Sequence, residues 1–451
     1  MVDTLVAPEA RIRAGRLDAT SLADNFGDAH PALSPTKARV EAERCYFCYD
    51  APCIEACPTG IDIPSFIAKI VDGNLRGSAE TILSANIFGG ACARVCPTEI
   101  LCEQACVRTT QENKPVTIGA LQRHSTDALM QHGIHPFARS PETGRHIAVV
   151  GAGPAGISCA HRLAMLGHRV TVYEARAKGG GLNEYGVAAY KLAGDFAQDE
   201  LDFILRIGGI TILHDRRLGR DIDLDTLRRT HDAVFLGIGQ TAVRALTLSD
   251  TPLTGVLDAV EFIAGLRQAP DKHAVPVGAR VVVIGGGNTA IDAAMQAKRL
   301  GARDVTIAYR RGLEHMSATG FEQDWARTSG IRIRTWCTPK RLHGALGMVT
   351  GIEFEDTGSG PDLEAADMVL KAVGQLFDGG SLGSGTIVPD IAGGRIMVDA
   401  DGRTSLPMVY AGGDCTPGPD LTVSAVQDGK LAALAIHAAL VPASATIAGS
   451  F

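Results

Sequence analysis

Two stretches of this 451-residue chain, IAVVGAGPAGISCAHRLAMLGHRVTVYEAR (147–176) and VVIGGGNTAIDAAMQAKRLGARDVTIAYRRG (282–312), share one design: an apolar run, a glycine turn, a helix-like segment and a second apolar run. Short apolar runs alternating with helical segments call for an α/β fold with parallel sheets. Each unit also has a later strand that ends in a glycine turn, AVFLGIGQ (233–240) and VLKAVGQ (369–375). Two such units in one chain imply two bound dinucleotides.

In the first unit Gly151, Gly153 and Gly156 form GxGxxG, Pro154 and Ala155 open the helix, and Glu174 closes the second strand. The first glycine makes the tight turn, the second lets backbone approach a pyrophosphate, the third lets helix and strand pack closely, and the acid accepts hydrogen bonds from the ribose. A further glycine turn, KGGGLNEYG (178–186), brings in Gly181 and Leu182. VYAGGDCTPGPDLTVSAVQDGKL (409–431) adds Gly413 and Asp414 after a strand and a helix opening at Thr422 and Val423. In a flavoprotein Asp414 would bind the ribityl or pyrophosphate region of FAD, and the helix N-terminus would stabilise negative charge on the reduced flavin. The expectation is an FAD-binding domain in two parts, 144–243 and 385–451, interrupted at 244–384 by a domain for the nicotinamide dinucleotide. There Gly285, Gly286, Gly287, Asn288 and Thr289 form the turn, Gly374 ends the later strand, and Arg310 and Arg311 replace the ribose-binding acid. Guanidinium groups at that place suit a 2′-phosphate, which argues for NADPH rather than NADH, the alternative being two solvated arginines on a loop.

Residues 1–143 carry eight of the eleven cysteines among helix-like segments such as DIPSFIAKIVDG, with apolar Ile63, Phe66, Ile67 and Ile70 at helical spacing. The first run reads CxxCxxxxCxxxCP (Cys45, Cys48, Cys53, Cys57) and the second supplies Cys92, Cys96, Cys102 and Cys106. A proline follows Cys57 and Cys96, the habit of ferredoxin-like runs whose ligands interleave between two clusters. Zinc would prefer two CxxC pairs, and only one is present. Two 4Fe–4S clusters are therefore expected, in a helical domain preceding the two Rossmann-like domains. Cys159, Cys337 and Cys415 stand singly, which argues against disulfide-reducing chemistry.

With these motifs the chain resembles the flavin and iron–sulfur electron-input module shared by the glutamate synthase small subunit and the N-terminal part of dihydropyrimidine dehydrogenase. The resemblance rests on the cysteine runs, VVGAGPAGISCA, VIGGGNTAIDAA, YRRG and AGGD, and spans about residues 30–440. It implies one cluster on Cys45, Cys48, Cys53 and Cys106 and a second on Cys57, Cys96, Cys102 and Gln122, with Cys92 left over. Gln122 in IGALQRHSTD matches the pyrimidine enzymes, whereas the glutamate synthase subunit usually has a glutamate there. Lys191 stands where the pyrimidine enzyme has a flavin-contacting arginine, and Ser317 where it has a basic residue reaching the 2′-phosphate. The donor is thus expected to be NADPH or NADH.

The implied role is an oxidoreductase subunit passing electrons from NAD(P)H through FAD and two clusters to a partner carrying FMN and iron–sulfur centres, which reduces uracil or thymine. No acid/base catalytic residue is required in this chain, because hydride transfer to flavin depends on positioning. The same wiring in a glutamate synthase or ferredoxin-type oxidoreductase is the alternative, and a zinc-binding docking module on a flavin scaffold is another. A formal charge of −7 with scattered Lys and Arg gives no footprint for nucleic acid. The N-terminus has no signal-peptide pattern and no window of apolar residues spans a membrane, so a cytoplasmic protein is expected.

Overall fold

The computed structural model describes residues 12–133, 135–240, 242–355, 362–383 and 387–442. They fall into two compact units, the first within Pro31–Asn183, Asp195–Ala242 and Leu376–Phe451, the second within Met1–His30, Glu184–Gly194 and Val243–Gln375.

The first unit begins with the cysteine-bearing helices. Ile63–Val71 is capped by Asp62, whose side chain accepts from Ser65 N. The four apolar residues picked out by spacing, Ile63, Phe66, Ile67 and Ile70, are all buried. Each contributes roughly 1.5–3 kcal/mol of burial, and they pack with Ile82, Val116, Ile118 and Leu121 into one core against which Cys45, Cys53, Cys57, Cys102 and Cys106 lie. The same unit holds a five-stranded sheet in the order Val409–Ala411, Ala233–Leu236, His146–Val150, Arg169–Tyr173, Ile210–Leu213. Every pairing in it is parallel. Its inner strands read as continuous apolar runs because both faces are covered; Ile147, Ala148 and Val149 have no exposed surface.

In the second unit an all-parallel sheet runs Arg332–Arg334, Asp304–Ala308, Arg280–Ile284, Met368–Lys371, Val256–Asp258. The molecule is thus α/β, with a parallel Rossmann-type sheet in each unit. Glu184–Gly194 belongs to the second unit although it continues the glycine turn of the first. Among the described residues no helix is long and apolar enough to cross a membrane.

Within the first unit the cysteine helices are fastened to the sheet by a buried carboxylate. Glu200, on helix Phe196–Leu205, accepts from Ala91 N through both oxygens at 2.9 and 3.2 Å. Arg94 of the same cysteine-bearing helix lies 3.6 Å over the Phe196 ring and pairs with Asp127 at 2.8 Å. Burial pushes the Glu200 carboxyl up to about 7, against the Ala91 hydrogen bond and Arg94, which favour its charge. The folded-state pKa is raised, so the folded state holds the extra proton between about 4.5 and about 7. That stabilisation is complete below the lower value and is lost as pH rises through the upper one. Glu200→Gln keeps an acceptor for Ala91 and removes the titration. Between pH 5 and 8 the wild type is expected to lose up to ~3 kcal/mol relative to this variant, read as a widening gap in thermal midpoint; parallel profiles would contradict it.

Candidate cofactor and iron–sulfur sites

The first glycine turn follows His146–Val150 and leads into helix Pro154–Met165, with Gly153 as N-cap and proline at its first turn. Gly151 has φ +98°, and a Cβ on Gly156 would lie 1.9 Å from the Gly151 carbonyl oxygen. Only glycine lets turn and helix close this far. Glu174 Oε2 accepts from Ala152 N at 2.8 Å and its Oε1 from Arg176 N at 2.9 Å, so the acid also locks the turn it faces. A Cβ on Gly181 would stand 2.8 Å from Gly153 Cα, which brings the second glycine turn and Leu182 against the first.

Helix Thr422–Leu440 starts at the same end of the sheet with no side-chain cap on its first amides. Thr422 Oγ1 donates to Asn183 Oδ1 at 3.0 Å, while the buried Asn183 Nδ2 has no hydrogen-bond partner. Gly413 N donates to Asp428 Oδ2 at 2.9 Å and holds the Gly412–Gly413–Asp414 turn. Burial, with Asp420 adding repulsion, raises the Asp414 carboxyl to about 6. An unpaired buried amide nitrogen, uncapped helix amides and a glycine-only cradle fit an anionic dinucleotide carrying carbonyl acceptors. The residues suit FAD.

In the second unit Gly285, at φ +146°, could not carry a Cβ, which would stand 2.2 Å from the Ala372 carbonyl oxygen. Gly286 packs on the Tyr309 ring, and Gly287 is the N-cap of Asn288–Arg299, which Thr289 continues. Arg310 and Arg311 follow Asp304–Ala308, are exposed, and form no ion pair among the described residues. Trp336 N donates to Arg311 O at 3.2 Å. Gly374, at φ +100°, lies just past Met368–Lys371 and accepts from Arg244 N at 3.0 Å. Lys191 has its ammonium 2.7 Å from Asp292 and 2.6 Å from Glu322. Burial opposes that charge, the two carboxylates outweigh it, and the amine stays above its ordinary range.

Among the cysteines, Cys45, Cys48, Cys53 and Cys106 line one pocket together with Ile63, Ile67, Val116 and Ile118. Burial, then repulsion from Cys45 and Cys106, pushes the Cys53 thiol up to about 12. Such thiols become thiolates when a cationic iron core offsets both effects. Among the described residues no three Cys, His, Asp or Glu side chains converge as a single metal ion requires. Soft donors spread around an apolar pocket fit a 4Fe–4S cluster.

Cys57, Cys96 and Cys102 form a second neighbourhood. The Cys96 thiol is held well above its usual range by its hydrogen bond with Cys92, then by burial and by Cys102 and Cys57. Burial raises Cys102 as well, with repulsion from Glu103 and Cys57. Gln122 is 7% exposed on helix Ile118–His132, and its Nε2 donates to Gly89 O at 2.6 Å, at the start of the helix that ends at Cys96. Any metal contact by this side chain would fall to Oε1. Lys430, from helix Thr422–Leu440, donates to Thr59 O at 3.2 Å and Ala85 O at 2.8 Å. Thr59 Oγ1 is in turn 3.3 Å from Cys57 Sγ. Asn183 and Lys430 carry no sequence signature, because their partners lie far along the chain. Cys159 and Cys415 are buried thiols raised by burial, as is Cys337.

Residues 22–134 match the family model described as "Dihydroprymidine dehydrogenase domain II, 4Fe-4S cluster", and 145–429 match "Pyridine nucleotide-disulphide oxidoreductase". The chain is 35% identical over 410 residues to the NAD-dependent dihydropyrimidine dehydrogenase subunit PreT of Escherichia coli O157:H7, covering 90% of this chain and 95% of that one. It is 31% identical to the glutamate synthase [NADPH] small chain of E. coli K12, covering 90% and 92%. Thioredoxin reductase of Lactococcus lactis shares the α/β fold over 66% of this chain and 99% of its own, with a TM-score of 0.53 at 20% identity. With its 4Fe–4S domain preceding a flavin and pyridine-nucleotide domain, this chain belongs to the oxidoreductase family that contains the PreT dihydropyrimidine dehydrogenase subunit and the glutamate synthase small chain.

Proposed function

We propose that this chain is the electron-input subunit of a two-subunit dihydropyrimidine dehydrogenase. It takes electrons from NAD(P)H and delivers them to an FMN- and iron–sulfur-containing partner that reduces uracil or thymine to the 5,6-dihydropyrimidine. The observation that carries the reading is the pocket lined by Cys45, Cys48, Cys53 and Cys106 in the same unit as a flavin-type glycine turn. The buried Gln122, an amide where the glutamate synthase subunit usually has a glutamate, favours pyrimidine over glutamate as the destination, as does the greater identity with the PreT subunit. The 31% identity with the glutamate synthase small chain keeps that destination as the second reading.

When bound, FAD accepts a hydride and releases single electrons, which 4Fe–4S clusters carry onward. The chain's own residues supply position and charge. Gly151, Gly153, Pro154, Ala155 and Gly156 present backbone to the FAD pyrophosphate, Glu174 and Asp414 accept from its hydroxyls, and the amides at Thr422 and Val423 face its negative end. Gly285 to Thr289 would do the same for the nicotinamide dinucleotide, with Arg310 and Arg311 supplying charge for its phosphate and Gly374, which has no side chain, lining its site. Cys45, Cys48, Cys53 and Cys106 hold one cluster; Cys57, Cys96, Cys102 and Gln122 hold the second. Thr59 and Lys430 fix the Cys57 loop.

The test is anaerobic co-purification with the FMN subunit and measurement of uracil- and thymine-dependent NADH and NADPH oxidation. Oxidation that needs both chains is expected. A flavin- and iron-replete complex that ignores both pyrimidines would move the far end of the wire to glutamate or ferredoxin chemistry. Gly156→Ala must displace the Gly151 carbonyl, so the variant is expected to purify with its iron and without its flavin, read from the visible spectrum; full flavin retention would remove this turn from the FAD site. Replacing Arg310 and Arg311 together by alanine is expected to raise KM for NADPH at least about tenfold more than KM for NADH, the loss of one charge-assisted phosphate contact. Equal effects would make the pair solvated arginines.

A further inference from the structure

Cys57 ends the first cysteine run, and the chain leaves it through the turn Cys57, Pro58, Thr59, Gly60. Proline presets the backbone at the second position, Gly60 takes φ +64° at the fourth, and Gly60 N closes the turn on the Cys57 carbonyl at 2.8 Å. Thr59, in the middle of it, is 4% exposed, and its carbonyl accepts from Lys430 at 3.2 Å. The Thr59 hydroxyl oxygen lies 3.3 Å from Cys57 Sγ, its one side-chain hydrogen bond among the described residues. A branched Cβ leaves that side chain few other rotamers, and a buried hydroxyl turned away from the sulfur would lose its partner. Between a hydroxyl and a free thiol either atom can donate. An iron-bound thiolate has no proton, so the hydrogen between oxygen and sulfur then belongs to Thr59.

We propose that Thr59 donates its hydroxyl hydrogen to the Cys57 thiolate and thereby raises the reduction potential of the cluster that Cys57 holds. Reduction adds negative charge to the cluster and its sulfurs, and a donor aimed at one of those sulfurs stabilises the reduced form more than the oxidised one. The bond is charge-assisted, and burial of Thr59 keeps water from competing for the sulfur. The turn supplies what such a donor needs, a fixed place: backbone closure on one side of Thr59 and the Lys430 ammonium on its carbonyl. The assignment deepens the proposed function and rests on Cys57 being a cluster ligand.

The experiment is an anaerobic potentiometric titration of the flavin- and iron-loaded chain, followed by low-temperature electron paramagnetic resonance, for wild type, Thr59→Val and Thr59→Ser. Valine keeps the shape of the side chain and deletes the hydroxyl; serine keeps the hydroxyl and deletes the methyl. The valine variant, with iron content equal to wild type, is expected to show one cluster signal shifted to more negative potential and the other unmoved. The serine variant is expected to stay near the wild-type potential, which a purely structural role for Thr59 would not produce. If valine cannot retain iron, Thr59→Ala set against Thr59→Ser makes the same comparison without the branched carbon. Variants with and without the hydroxyl titrating together would overturn the inference. A wild-type chain without any iron–sulfur signal would instead defeat the cluster assignment, and the inference with it.

Discussion

Much of the first unit depends on how closely three pieces of backbone approach one another at the first glycine turn. The Gly151 carbonyl lies where a Cβ on Gly156 would be, and a Cβ on Gly429 would stand 2.1 Å from the Ala155 carbonyl. Helix Pro154–Met165 is thereby pressed against the turn on one side and against helix Thr422–Leu440 on the other. Ser158 Oγ donates to Val426 O at 2.7 Å and ties the same two helices. A side chain at Gly429 would force the two helices apart and move everything the second helix carries, whereas one at Gly156 would meet the turn itself. One turn beyond Val426, Lys430 reaches the Thr59 and Ala85 carbonyls among the cysteine helices. The position of the Cys57 loop is thus linked, through one lysine, to a contact that only glycine permits.

That linkage explains why the iron–sulfur helices and the flavin-type sheet fall in one unit while the sheet with the arginine pair falls in another. Three devices join the first two: Lys430, the Glu200 carboxylate on the Ala91 amide, and Arg94 between Phe196 and Asp127. Each withdraws an ionisable group from water, which costs several kcal/mol when the group is charged and fully buried unless hydrogen bonds and counter-charges offset it. Such contacts tolerate little displacement, because a buried charge moved off its partners loses the compensation at once. In the proposed function, electron transfer between flavin and clusters would need that fixity of distance.

Local patterns were legible in the sequence, and distant pairings were not. The glycine turns, the acid at 174, the arginine pair and the cysteine runs declare themselves because each function is carried by residue types at short spacing. The helix at 63–71 shows in the periodicity of Ile63, Phe66, Ile67 and Ile70, and all four are buried. Glu200 reads as one more acid on an amphipathic helix, and nothing near it in sequence says that it caps Ala91, 109 residues away. Lys191 is a second case. Similarity singled it out as a flavin-side residue, and nothing near it in sequence announces its ion pairs with Asp292 and Glu322 of the same unit, both more than a hundred residues downstream.

Gln122 shows how a single side chain can join fold to chemistry. Its Nε2 donates to the Gly89 carbonyl, and Gly89 opens the helix whose last turn presents Cys92 and Cys96. A carboxylate in its place would set oxygen against oxygen at 2.6 Å, an arrangement that requires a proton or a shift of the helix. The choice of amide at this position is therefore bound to the packing of the Gly89–Val95 helix as well as to any ligand role of Oε1. A neutral oxygen donor also leaves the proposed second cluster one negative charge less than a fourth thiolate would, which favours the reduced state. The Lys430 ammonium acts in the same direction, adding positive charge near Cys57. Under the proposed ligand assignment, these two features of sequence and fold act in one direction, toward a second cluster that accepts an electron more readily than four thiolates would allow.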